Sequence, residues 1–108
     1  MTKPRPESLS QPPLVLERLA SWGSCVRKQR IGQHIRAADL CARMAISRPT
    51  LQRLEAGNPG VSAAVYLTAL HILGLAALAA PELPPDVWRL DQPAARARRS
   101  AESDDAYF

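Results

Sequence analysis

A chain of 108 residues has room for one domain, and a hydrophobic content of 46% is ordinary for a globular fold. With five aromatics in all, the core must be built from Leu, Val, Ile and Ala, a mix that favours small, closely packed helices. The net charge of +4 is unevenly spread: residues 14–60 carry eight Lys or Arg against three acids, a local balance of +5, whereas 61–91 lean acidic. A clustered basic surface is the electrostatic footprint of a polyanion binder, usually of nucleic acid or an anionic membrane, and its bland alternative is a solvated helical face.

Residues 1–13 are polar and proline-rich and read as a flexible arm. From Leu14 the pattern changes, and Leu14, Leu16, Leu19, Trp22, Cys25, Val26 and Gln29 include the three-and-four spacing of a helix face. The prolines at 12 and 13 suit a helix start, where the missing N–H groups have no partner to lose. Gly23 weakens this helix, and Gly32 marks its end, with Lys28 and Arg30 set against the negative end of the dipole.

A second helix is expected at 37–44, with Leu40, Cys41 and Met44 inward. It breaks at AISRP, where Ser47 offers an N-cap and Pro49 is tolerated in a first turn. Because a residue before proline avoids helical angles, Arg48 is expected at the cap itself. Leu51 and Leu54 face inward, and Gly57 stops the third helix. NPGVS at 58–62 is turn chemistry followed by the N-cap Ser62. A fourth helix follows, with Val65, Leu70 and Leu73 inward, Tyr66 and Thr68 outward, and Gly74 as its stop. LAALAA at 75–80 reads as a short fifth helix, after which Pro81, Pro84 and Pro85 prevent anything longer. No strand pattern or internal repeat is visible.

The expected fold is thus all-α: a compact five-helix domain over 14–80, between the arm at 1–13 and a proline-rich, charged tail at 81–108. Two helices joined by a three- or four-residue break, the second opening with polar groups, is the geometry that sets one helix across a DNA backbone and its successor in the major groove. Leu40, Ile46, Leu51 and Leu54 lock the pair, leaving Ser47, Arg48, Thr50, Gln52 and Arg53 free to face outward. Arg can grip guanine with two hydrogen bonds, Gln can grip adenine, and Pro49 could touch a thymine methyl. Arg48, Pro49, Thr50, Gln52 and Arg53 are therefore the candidate base readers. Arg36, Arg43, Ser47 and Asn58 are the candidate phosphate contacts, which fix position without reading sequence.

Residues 19–75, LASWGSCVRKQRIGQHIRAADLCARMAISRPTLQRLEAGNPGVSAAVYLTALHILGL, resemble the helix-turn-helix domain of the XRE family, the phage-repressor-like regulators of bacteria. DLCARMAISRPTLQRLEAGNPGVS carries most of the likeness. The resemblance implies a lambda-repressor-like fold, a homodimer on double-stranded operator DNA, and repression of transcription, with the reading role falling on Arg48, Pro49, Thr50, Gln52 and Arg53. A narrower likeness, in QRLEAGNPGVS, the helix ending in LGL and the terminal SDDAYF, is to HipB-type antitoxins. It implies an autorepressor that also neutralises a HipA-type kinase toxin. Three positions depart from the family pattern: Arg36 and Ala37 stand where Thr-Gln is usual, Ala45 where the turn often has glycine, and Pro49 removes a donor from a reading position.

Other classes are weaker on sequence. The same fold could serve as a protein-interaction module that binds a partner without sequence-specific DNA binding, which the Ala37 and Pro49 departures keep open. An enzyme is not expected, since no nucleophile paired with a base, no phosphate-cradling Gly loop and no metal set is visible. Cys25 and Cys41 form no CxxC, and His34 and His71 complete no ligand spacing, so no metal, disulfide or cofactor is assigned. The longest apolar run, LGLAALAAP at 73–81, is far too short to span a bilayer. No apolar run of signal-peptide character follows the opening Met-Thr-Lys-Pro-Arg-Pro, so a cytoplasmic location without membrane contact is expected.

Overall fold

A computed structural model describes residues 11–90. They form α1 (Pro13–Gly32), α2 (Ala37–Met44), α3 (Arg48–Glu55), α4 (Ala63–Ile72), α5 (Ala76–Ala79) and α6 (Pro85–Trp88), with no strand among them. No described helix is long and apolar enough to cross a membrane.

Helix starts follow local chemistry. Pro13 opens α1 at a position where a missing N–H costs nothing. Ser47 and Ser62 cap α3 and α4 by accepting the N–H groups of Thr50 and Val65, each at 3.2 Å. By contrast, α2 begins at Arg36 with no side-chain cap.

Helix ends share one device. After each of the first four helices a residue takes a left-handed conformation, and the next N–H reaches back to a carbonyl in the last turn. The four residues are His34 (φ 60°), Ala45 (φ 57°), Gly57 (φ 78°) and Gly74 (φ 83°). The closing bonds are Ile35 to Arg30, Ile46 to Cys41, Asn58 to Arg53 and Leu75 to Leu70, at 2.7–3.0 Å. Glycine is the residue suited to this conformation, so His34 and Ala45 carry strain that Gly57 and Gly74 do not.

The core lies where α1 meets α3 and α4 and where α2 packs on the same pair. Val26, Leu40, Leu51, Leu54, Tyr66 and Leu70 are its largest fully buried side chains. Gly23 lets α1 approach the end of α3. A Cβ there would run into the carbonyl oxygen of Leu54 and sit 2.8 Å from that of Glu55. Gly57 is equally close to α1, its added Cβ falling 2.6 Å from the Ala20 Cα. Gln33 then ties the far ends together by donating from Nε2 to the Leu73 carbonyl at 3.1 Å.

Several expectations are corrected here. Tyr66 points inward and is fully buried, its ring 6.0 Å from that of Trp22 and its hydroxyl donating to the Asn58 carbonyl at 2.8 Å. The inward face of α1 starts later than its leucines imply, because Leu14 and Leu16 are exposed. The left-handed stop after α1 falls on His34 rather than Gly32. Arg48 is the first helical residue, with Ser47 alone at the cap. A sixth helix forms at Pro85–Trp88, inside the expected tail, since a proline at the first position starts a turn as readily as it stops one.

Candidate nucleic-acid interface

The α2–α3 pair is held by a short, well-defined corner. Ala45 turns the chain in its left-handed conformation and the backbone of Ser47 is extended, so α3 leaves at once in a new direction. Cys41 sits buried at this corner, its thiol donating to the Ser47 carbonyl at 3.7 Å. A bulkier side chain would hold the two helices apart. Cys25 and Cys41 are both free thiols, and no group of metal-ligating side chains occurs among the described residues.

On α3, Leu51 and Leu54 turn into the core. The opposite side carries Arg48, Pro49, Gln52 and Arg53, all exposed, with Thr50 half-buried beside them. Five candidate readers thus come from one two-turn helix, and four of them are exposed on its outer face. A chain of polar contacts runs along that face. The Ser47 and Thr50 hydroxyls are 3.0 Å apart, and Arg53 Nη2 donates to Thr50 Oγ1 at 3.4 Å. This holds the Arg53 guanidinium back along the helix towards its N-terminal turn.

The four candidate phosphate contacts fare differently. Arg43 is exposed in the last turn of α2. Arg36 is exposed at the start of α2 and reaches Asp39 at 3.4 Å, a surface pair with little holding power. Ser47 already uses its hydroxyl oxygen as the cap of α3. Asn58 is half-buried and accepts the Gly60 N–H on Oδ1 at 2.6 Å, so its carboxamide oxygen orders the 58–60 turn. Its main contribution is to the turn rather than to the open surface.

One positioning device gives no signal in the local pattern. Arg30, buried near the end of α1, forks onto Glu55 at the end of α3, with Nε to Oε2 at 2.8 Å and Nη2 to Oε1 at 3.3 Å. Its remaining arm donates from Nη1 to the Ile35 carbonyl at 3.1 Å. Arg27, largely exposed, adds a longer contact to Glu55 Oε1 at 3.8 Å. The C-terminal end of α3 is thereby fixed to α1 while its polar face stays open. The partners are 25 residues apart in sequence, beyond the reach of helix periodicity.

Chemically, this surface offers exposed guanidinium, carboxamide and hydroxyl groups on one helix, and Arg36 and Arg43, at the two ends of α2, are exposed as well. Such a set can form bidentate hydrogen bonds to planar acceptors and pair with anions. The tail residues 92–108, including SDDAYF, lie outside the described residues. Comparison of the chain with family models, with curated proteins and with solved structures finds no match.

Proposed function

We propose that the protein is a sequence-specific DNA-binding transcriptional regulator, an autorepressor that acts as a homodimer through a lambda-repressor-like helix-turn-helix. In this reading α3 enters the major groove, Arg48, Pro49, Thr50, Gln52 and Arg53 meet base edges, and Arg36 and Arg43 grip phosphates on either side. The observation that carries it is the outer face of α3: its polar side chains are exposed on a helix whose other face is buried and whose C-terminal end is held to α1 by Arg30 and Glu55. The free N–H groups and positive dipole end at Ser47 favour a nearby phosphate.

A two-fold dimer would read half-sites about one helical turn, near 34 Å, apart. Selection of binding sites from random duplexes tests the assignment. The intact chain yields a roughly palindromic site, Arg53→Ala relaxes preference at one base pair of each half-site by about 1–3 kcal/mol, and Arg43→Ala weakens every sequence alike. An unaltered preference in Arg53→Ala overturns the choice of reading helix. A second reading, a partner-binding module without base readout, draws on the uncapped start of α2 at Arg36 and on the donor that Pro49 lacks. It predicts weak, salt-sensitive binding to any duplex and no selected site.

A further inference from the structure

Two apolar surfaces of the described chain are left without cover. The first is a shallow groove of about 280 Å³ on the N-terminal half of α1, lined by Leu14, Val15, Arg18, Leu19 and Trp22. Its outer wall is open, with Leu14 61% exposed. The second is the strap that follows α4, where Leu78, Leu83, Val87, Trp88 and Leu90 all face outward. Trp88 is 53% and Val87 63% exposed although both belong to an ordered turn, α6. Trp88 is fixed in place, its Nε1 donating to the Leu83 carbonyl at 3.1 Å and the Arg89 guanidinium standing 5.6 Å from its ring centroid. A rigid, exposed indole on a pre-formed turn is the anchor that pocket recognition uses.

We infer that the α6 strap of one copy docks in the α1 groove of a second copy, and that the exchange of two such straps forms the dimer. Both surfaces belong to one chain, and neither is covered by any of its described residues. A two-fold pair buries each of them twice, which is what a self-complementary interface requires. The charges agree as well: Arg18 is the charged residue of the groove lining, and the strap at 81–90 carries two acids, Glu82 and Asp86, against one base, Arg89. The surface to be covered is considerable for so small a chain: Leu14 of the groove and Leu83, Val87, Trp88 and Leu90 of the strap are each more than half exposed. The inference names the pairing surface of the proposed homodimer and rests on that part of the functional reading, but not on DNA recognition.

Sedimentation equilibrium of the full chain, without DNA, tests it. The expected result is a reversible dimer in the micromolar range. Trp88→Ala should weaken it by roughly tenfold or more, as truncation of a central anchor does. Arg18→Glu and Asp86→Arg should each weaken it a few-fold, and the two together should restore it. All three side chains are exposed, so thermal melts of the variants stay near that of the parent and a lost dimer is not a lost fold. A chain that stays monomeric refutes both this interface and the dimeric reading. A dimer indifferent to Trp88→Ala and to both charge reversals refutes this interface and leaves the dimeric reading standing.

Discussion

Replacing Glu55 by Ala would strand the Arg30 guanidinium inside the domain. Both side chains of the pair are about nine-tenths buried, at 10% and 9% exposure, and Arg30 has no other acid within ion-pair distance among the described residues. Breaking such a pair from one side costs about 3–5 kcal/mol, because the remaining charge is desolvated and uncompensated. The Ile35 carbonyl keeps one hydrogen bond and softens this towards the lower end. At about 4–8 °C per kcal/mol for a domain of this size, the melting temperature falls by roughly 12 °C or more. The reverse substitution, Arg30→Ala, should cost less. Arg27 already stands 3.8 Å from Glu55 Oε1 and is largely exposed, so it can move in to pair the carboxylate. Urea unfolding followed by far-UV circular dichroism and by tryptophan fluorescence measures both variants. A loss below about 1 kcal/mol for Glu55→Ala, the value of a surface pair, refutes the account of the buried lock. Greater damage from Arg30→Ala than from Glu55→Ala refutes compensation by Arg27.

Three further outcomes follow from backbone and burial. Ala45→Gly relieves a left-handed alanine and should stabilise the domain by about 0.5–1 kcal/mol net of the added chain entropy; a fall in denaturation midpoint would contradict the strain at φ 57°. Gly23→Ala should destabilise by about 2 kcal/mol or more despite the better helix propensity of alanine, because its Cβ meets backbone oxygens of α3 that cannot give way; unfolding that shifts upward instead would show that α1 and α3 are not in close approach. Burial holds the Tyr66 phenol above its usual pKa, so the unfolded state ionises first and stability falls as pH rises past about 10 and on through the higher folded value. Tyr66→Phe should cost about 1 kcal/mol near neutrality, through the lost bond to the Asn58 carbonyl, and flatten that alkaline decline; a decline of equal slope in the variant would point to other groups.

Features encoded within a few residues were legible in the sequence. Pro13, Ser47, Ser62, Gly57 and Gly74 set helix starts and stops through caps and backbone freedom, and the structure uses each of them. The outward face of α3 was legible for the same reason, since Leu51 and Leu54 fix which side is buried. What escaped depends on partners distant in the chain. Tyr66 lies on α4, a helix apolar around most of its circumference, so periodicity could not choose its buried face. Gly23 reads as a propensity defect until α3 is seen against it. Arg30 reads as a C-terminal counter-charge until Glu55 is found beside it. Leu14 and Leu16 belong to the apolar pattern of α1, but no described helix covers them as Val26 is covered. Asn58 carries turn chemistry that local reading identifies and a bond to Tyr66 that it does not.

The central claim, that α3 reads DNA sequence, is tested most directly by a mobility shift of the full chain on the duplex lying just upstream of its own coding sequence, against excess random competitor at moderate salt. The account predicts a discrete complex that survives the competitor with the intact protein and loses its advantage over random DNA in Arg53→Ala. Binding that is equally weak on every duplex and vanishes with added salt would contradict it, because phosphate attraction alone would then account for all the affinity.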